Sequence, residues 1–291
     1  MTSLRILRAG PLATLQDEGR FGMLAVGISA SGPMDRGAFR TAGALLDHAG
    51  ATGIEFSQAL RFSVDGPVQV ALAGGTFQVQ RNGVAAPWDD VLELAAGDEV
   101  AISPGTSGNY GYVRFERELA VAPVLGSTST NVTVGLGGWK GRALRDGDVI
   151  GFGAMGAIAP SVAAPVNHLG DDAIRVLWGL HADLFDADLR QRFATSDFAV
   201  SSGLDRMGVR LNDGAGVFAA QRRLTLVSDP IVPGDLQILG DGTPIVLMRD
   251  HQPTGGYPRL ATIVTADFDR FAQMRPGQIV RFRPVTLEHA R

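Results

Sequence analysis

The chain has no cysteine among its 291 residues. Disulfide bonds, thiolate nucleophiles and cysteine-based metal sites are therefore excluded. Lysine is nearly absent as well: Lys140 is the only one, and every other strong cation is arginine. Genomic base composition explains that bias simply. Even so, any reaction that needs a lysine amine, such as a Schiff base or a phosphate-loop contact, would have to use Lys140.

The sequence also lacks long hydrophobic runs. None approaches the ~18 apolar residues of a membrane helix, and the N-terminal residues do not resemble a secretory signal. The net charge of -4 argues against a nucleic-acid partner, because phosphate binding needs clustered cations. With 45% hydrophobic residues the chain can build a core. We therefore expect a cytoplasmic protein without a membrane or nucleic-acid partner.

Three short segments recur in the same order further along the chain, at offsets of 168 to 170 residues. The pairs are Leu4–Leu7 with Ile174–Leu177, Ser31–Arg36 with Ser202–Arg206, and Gly66–Val70 with Gly234–Ile238. Each echo alone is weak, but three at nearly one offset indicate two related units in tandem. The prediction is a first domain over 1–160, with an extension over 108–153, and a second domain over 172–291.

The local pattern is mostly that of β-strands. Apolar and polar residues alternate in Phe62–Val64, Val68–Leu72 and Phe77–Gln80. Asn82-Gly83 and Asp241-Gly242 are typical of tight turns, since these residue types accept positive φ. Three helices are predicted, over 35–46, 183–193 and 266–274. Many short strands with few helices favour a closed or partly closed barrel in each unit.

Three groups of motifs run through the chain in order. The first is Ala9–Leu12 with Thr14–Arg20 and Ser31–Asp35, the second is Val124–Thr130 with Gly137-Gly138 and Gly141-Arg142, and the third is Asp205–Gly208 with Asp250–Pro258. Together they resemble the family of 5-oxoprolinase C subunits, also called KipA or allophanate hydrolase subunit 2. They are also similar to part of the carboxyltransferase domain of urea carboxylase. Pro253 stands where threonine is more usual in that family.

The resemblance implies a mainly β protein with a few short helices, built as two tandem cyclophilin-like β-barrel domains. It implies a partner, the 5-oxoprolinase B subunit (KipI, or allophanate hydrolase subunit 1), and with the A subunit an ATP-dependent opening of 5-oxoproline to glutamate. The chain is expected to be inactive alone. Two alternatives stay open: a carboxyltransferase component of a urea amidolyase-like system, which would use biotin on another chain, and a KipA-like regulatory binding protein.

The strongest candidate site is Asp250–Pro258. Thr254, Gly255 and Gly256 could bring backbone N–H groups close to a carboxylate, a phosphate or an oxyanion. Gln252 could bind a lactam or ureido group through its amide, Tyr257 adds a ring and a hydroxyl, and Asp250 could act as a base. The alternative is a tight glycine turn between strands with a packed tyrosine. With the resemblance, we predict a site.

Other polar residues of the motifs are candidates with equally open alternatives. Arg206 could bind a substrate carboxylate or could form a structural Asp–Arg pair that holds a loop. Gln16, Asp17 and Arg20 form a polar cluster or a capped turn, and Asp35 echoes Asp205. Ser127 and Ser129 offer hydroxyls to an anion, although such stretches are common in loops.

Metal and nucleotide sites are not indicated. No two of the five histidines have metal-ligand spacing, so we expect no tightly bound metal. His251 could act as a general acid or base, but a turn position facing solvent is favoured. Gly137–Arg142 has the composition of a phosphate loop without its spacing, and Lys140 lacks the neighbours of a biotin attachment site. If ATP is used, it binds by an unrecognised route or in a site shared with a partner.

Overall fold

A computed structural model describes residues 2–159, 173–220 and 226–290. These residues form two compact units. The first contains residues 2–20 and 31–159, and the second contains 21–30 together with the described residues from 173 onward. The sequence also predicts a linker between the units, Ala157–Asp172, rich in alanine and proline, and most of it lies outside the described residues. No sequence pattern indicated that the short stretch 21–30 belongs with the second unit.

The first unit contains one α-helix, α1 (Arg36–Ala44), within its described residues. Its strands are β1 (Ser3–Ala9), β2 (Thr14–Gln16), β3 (His48–Ala49), β4 (Gly53–Phe56), β5 (Leu60–Val64), β6 (Val68–Gly74), β7 (Phe77–Arg81), β8 (Val84–Ala86), β9 (Val91–Leu94), β10 (Glu99–Pro104), β11 (Gly111–Phe115), β12 (Arg117–Leu119), β13 (Val149–Met155) and β14 (Ala157–Ile158).

Two sheets enclose the core of the first unit. One has the order β12-β13-β1-β5-β10-β7-β8, and the other has the order β2-β4-β11-β6-β9. Strands of the first sheet alternate: Leu4 and Ile6 of β1 are fully buried, while Arg5 between them is exposed. In contrast, β11 is buried throughout because α1 packs on its other face. The segment 108–153, predicted as an extension, thus contains a central strand of the second sheet.

The second unit contains two α-helices within its described part, α2 (Ala187–Thr195) and α3 (Thr265–Ala272), and two short 3₁₀ turns, Leu24–Val26 and Ala182–Leu184. Its strands are β15 (Ile174–Trp178), β16 (Phe198–Leu204), β17 (Gly208–Asn212), β18 (Asp229–Pro230), β19 (Asp235–Ile238), β20 (Pro244–Leu247), β21 (Thr254–Gly255), β22 (Arg259–Ile263), β23 (Ile279–Val280) and β24 (Phe282–Pro284).

One eight-stranded sheet, in the order β23-β16-β17-β20-β19-β22-β15-β24, forms most of the second unit. Aromatic rings fill its interior: the rings of Phe193 and Phe282 stack with centroids 5.2 Å apart, and Phe193 and Phe198 lie 5.7 Å apart. Such pairs add to the stabilisation from burial itself. The mainly β class with a few short helices, in barrel-like units, is confirmed.

Several local predictions are also confirmed. Asp35 caps α1, since its carboxylate accepts a 2.8 Å hydrogen bond from the N–H of Ala38. Asn82 and Gly83 both have positive φ between β7 and β8. The second helix begins later than predicted, at Ala187, because Asp186 rather than Asp183 is its cap. The structure has no helix of sufficient length and apolar character to cross a bilayer among the residues it describes.

The internal echoes differ in their outcome. Leu4 and Ile6 of β1 and Ile174 and Val176 of β15 are buried in the same phase, so the first echo is structural. Asp35 and Asp205 are not equivalent. Asp35 caps a helix, whereas the Asp205 carboxylate accepts from the N–H groups of Met207 and Gly208 in the turn before β17.

Candidate functional site

The segment 250–258 changes from buried to exposed within three residues. Asp250 and His251 are buried, whereas Gln252 and Thr254 are exposed and Tyr257 is 36% exposed. A short ladder fixes the segment, since Thr254–Gly255 pairs with Asp229–Pro230. The loop therefore presents its amide and hydroxyl groups to solvent above a rigid support.

The support of the loop is a buried ion pair between Arg206 and Asp250. Arg206 Nε donates to Asp250 Oδ2 at 2.8 Å and Nη2 donates to Oδ1 at 3.1 Å, and the two side chains are 4% and 2% exposed. The N–H of Asp250 also donates to the carbonyl of Arg206 at 2.7 Å. The geometry is that of the structural alternative, an Asp–Arg pair holding a loop. The roles predicted for Asp250 as a base and for Arg206 in substrate binding stay predictions.

His251 is 3% exposed, so the expectation that it faces solvent is wrong. Its Nδ1 lies 2.6 Å from the carbonyl oxygen of Gln252. Burial lowers the pKa of His251 below its ordinary value, against opposing effects of that carbonyl and of Asp235 and Asp250. A neutral imidazole fixed to the backbone accordingly anchors the loop beside the ion pair.

A side chain at either glycine of the loop would crowd its neighbours. A Cβ on Gly255 would lie 2.7 Å from Nε2 of Gln237, and one on Gly256 would lie 3.0 Å from the carbonyl oxygen of Leu226. Neither has a positive φ. Gly255 thus packs on the buried Gln237 and Ile231, whereas Thr254 is exposed.

Sequence reasoning missed a polar cluster beside this loop. Arg259 pairs with Asp229 and lies 3.6 Å from Asp235, while Nε2 of His181 lies 3.9 Å from Asp229. Arg259 directly follows Tyr257-Pro258, and this adjacency was the available signal. Asp229 and His181 are distant in sequence and only the folded sheet brings them here.

In the first unit, Asp17 binds the motif loop that contains Ser127 and Ser129. Its Oδ1 accepts from both hydroxyls at 2.6 Å, and its Oδ2 accepts from the N–H of Thr128 at 2.7 Å. Burial opposes ionisation, but these hydrogen bonds and one from the N–H of Gly19 together hold the pKa of Asp17 below its ordinary value. The hydroxyls predicted for an anion are engaged with this carboxylate.

Gln16 and Arg20 complete the same cluster from inside. Gln16 is fully buried; its amide donates to Thr130 O at 3.1 Å and its Oε1 accepts from the N–H of Gly32 at 3.1 Å. Arg20 is 1% exposed and donates to the carbonyls of Val124 at 2.9 Å and Ser129 at 2.9 Å. These contacts match the capped-turn alternative, and substrate contacts by these residues stay predictions.

Asp35 lies in a second buried network. Its N–H donates to the Tyr112 hydroxyl at 2.8 Å, and that hydroxyl donates to Glu55 at 2.9 Å. Burial raises the pKa of Tyr112 well above its ordinary value, with the negative charge of Glu55 acting in the same direction. This network fixes the start of α1, and no sequence pattern pointed to Glu55 or Tyr112.

The glycines of the 137–142 segment pack against the motif loop of the first unit. A Cβ on Gly137 would lie 2.1 Å from Ser129 O, and one on Gly138 would lie 1.8 Å from Thr130 Oγ1. They are close-packed on the loop beneath, and the N–H groups of Gly138 and Gly141 already donate to the carbonyl oxygens of Thr128 and Gly137. ATP as a cofactor of the complex stays a prediction. Within the described residues no group of three or more histidine or acidic side chains could hold a metal ion; the expectation of no tightly bound metal remains a prediction.

Comparison with known proteins gives these sites a context. The chain is 35% identical to the 5-oxoprolinase C subunit of Escherichia coli, over 99% of this chain and 93% of the relative. It is 26% identical to the urea amidolyase of Saccharomyces cerevisiae, over all of this chain but 17% of that one.

Two solved structures superpose on nearly the whole of this chain. The urea carboxylase of Kluyveromyces lactis superposes with a TM-score of 0.88 at 24% identity, over 99% of this chain and 28% of that chain. The structure of TTHA0988 superposes with a TM-score of 0.81 at 27% identity, over 97% of this chain and 55% of that chain. A family model described as carboxyltransferase domain, subdomain A and B, matches residues 26–284. The chain therefore belongs to the carboxyltransferase-domain family that includes the 5-oxoprolinase C subunits.

Proposed function

We propose that this chain is the C subunit of an ATP-dependent 5-oxoprolinase, which opens 5-oxoproline to glutamate only together with the A and B subunits. The observation that carries the proposal is the 35% identity to a named C subunit over 99% of this chain. We place this activity in the cytoplasm.

In this proposal the loop 252–257 contacts the amide substrate. Gln252 can donate to and accept from a planar amide, and the Tyr257 hydroxyl can bind a carbonyl or carboxylate oxygen. Asp250 is committed to Arg206, so it acts as a positioning residue that holds the loop. No step is assigned to ATP on this chain, since the N–H groups of Gly138 and Gly141 in the glycine segment already donate within the chain; in this proposal ATP binds on a partner chain or in a shared site.

Reconstitution tests the proposal. This chain, purified with the A and B homologues of the same organism, should release glutamate from 5-oxoproline only when ATP is present. Omission of any one component should abolish release. An inactive trio, with each component folded and the complex formed, would contradict the proposal.

The second candidate is a carboxyltransferase that carries a carboxyl group from biotin on another chain to a urea-like amide. The 26% identity to the urea amidolyase of Saccharomyces cerevisiae over all of this chain favours it. The same preparation, supplied with a biotin carboxylase and its carrier, should carboxylate urea if this candidate is right. Absence of glutamate release combined with urea carboxylation would select it.

A further inference from the structure

The motif loop of the first unit has an unusual composition for a protein surface. From Leu119 to Trp139 no side chain carries a charge. Much of this stretch is nevertheless exposed, including four branched apolar residues: Val124 at 37%, Leu125 at 50%, Val132 at 37% and Val134 at 51%. These four residues lie on two turns of one loop, 124–127 and 131–136, and we call them the uncharged face. Depletion of charge with exposed apolar side chains is typical of the centre of a protein–protein interface.

The uncharged face is held rigidly from beneath. Arg20, itself buried, donates to Val124 O at 2.9 Å and Ser127 O at 3.3 Å, which fixes both ends of the turn that presents Leu125. The turn around Val134 is closed by reciprocal hydrogen bonds between Asn131 and Leu136. A preformed surface loses little conformational entropy when a partner binds.

Leu125 occupies a backbone conformation that its side chain disfavours. Its φ is 52° and that of Gly126 is 79°, as in a type I′ turn whose first central position favours asparagine, aspartate or glycine. A leucine there is strained and half exposed at the same time. Burial of the other half of the side chain offsets only part of that strain, and a contact outside the chain accounts for the exposed half.

We propose that the uncharged face is the docking surface for a companion polypeptide, the B subunit of the proposed complex. This inference rests on the proposed function for the identity of the partner. The match to TTHA0988 supports a protein occupant, since 97% of this chain accounts for only 55% of that chain and the remainder is polypeptide without a counterpart here. An uncharged surface cannot select a nucleic acid or a phosphate, which leaves an apolar protein surface as the complementary chemistry.

The test uses the full chain and the purified B homologue of the same organism, with affinity measured by calorimetric titration. Leu125→Asn suits the positive φ and Val134→Asp adds a charge at an exposed position, so both variants should keep or raise the melting temperature while binding at least about tenfold more weakly. Val84→Asp is the matched control, because Val84 is 69% exposed on β8 and lies outside the uncharged face. It should bind like the wild type.

Wild-type affinity in both face variants would overturn the docking surface, as would an equal loss in the Val84 control. If the wild-type chain does not bind the B homologue, the proposed function is wrong about this partner. Sedimentation of the chain alone then shows whether a second copy of the chain occupies the uncharged face. A wild-type dimer that Leu125→Asn dissociates would replace the B homologue with a second copy of this chain. If the wild type and Leu125→Asn both sediment as monomers, the docking proposal itself is overturned.

Discussion

Arg206 and Asp250 form a two-point ion pair from which solvent is almost completely excluded, with Nε–Oδ2 and Nη2–Oδ1 distances of 2.8 and 3.1 Å. The two residues come from the turn before β17 and the segment after β20. These two strands are neighbours in the sheet, and Gly208 lies opposite Leu247. The pair therefore joins the sheet of the second unit to the candidate substrate loop. Its burial makes either partner costly to remove alone.

Asp250→Asn should destabilise the chain by about 3–5 kcal/mol, because the Arg206 charge would stay buried without its counterion. Urea denaturation followed by circular dichroism measures the loss. Glu18→Gln is the control, since Glu18 pairs with Arg40 at 2.7 Å but the side chains of Arg40 and Glu18 are 52% and 48% exposed; its effect should stay below about 1 kcal/mol. Equal effects of the two substitutions would show that the buried pair does not stabilise the fold.

Asp17 should make part of the stability depend on acid pH. Because the folded-state pKa of Asp17 is lowered, its contribution is complete above the unfolded value of about 4 and is lost as pH falls through the folded-state pKa. Asp17→Asn should therefore lower the melting temperature at pH 7, and the gap to the wild type should narrow toward pH 3. Asp183→Asn, at a side chain 96% exposed, serves as control. A difference in melting temperature that stays constant with pH would refute the lowered folded-state pKa of Asp17.

Gly255→Ala should destabilise the second unit by about 1–3 kcal/mol, since the added methyl group meets Gln237 Nε2 at 2.7 Å and Ile231 Cδ1 at 3.2 Å. Gly214→Ala provides the comparison, because nothing lies within 4 Å of its added Cβ and its φ is not positive. Thermal melts should show a loss in the first variant alone. A neutral Gly255→Ala would mean that the loop shifts freely.

Gln252→Ala and Tyr257→Phe test the substrate loop of the proposed enzyme. Each should reduce ATP-dependent glutamate release by the reconstituted complex roughly tenfold or more, because one hydrogen bond to the reacting amide is lost. Both side chains are exposed, so the melting temperature should not change. Gln80→Ala, which removes an exposed amide from β7, is the matched control. Full activity in both loop variants would remove this loop from the substrate site.

The predictability of the site differed from residue to residue. The motif order points to Gly255 and Gly256 as functionally constrained, yet the reason, close packing on Gln237 and Leu226, required the fold. Asp17 and Ser127 stand in separate motifs. Nothing in the sequence shows that a carboxylate and a hydroxyl 110 positions apart bond at 2.6 Å. The expectation for His251 was wrong because turn residues are usually exposed, whereas this side chain is 3% exposed with its Nδ1 2.6 Å from the carbonyl oxygen of Gln252.

The sequence by itself determined the mainly β class, the caps and turns such as Asp35 and Asn82-Gly83, and the family, because alternation, capping and motif order are local or sequential properties. Tertiary structure alone decided which polar groups are engaged. It buried Arg206 against Asp250, satisfied Asp17 with Ser127 and Ser129, and left Gln252 and Tyr257 in solvent. The physical reason is that burial and hydrogen-bond partnership depend on strands far apart in the chain, which no local pattern encodes.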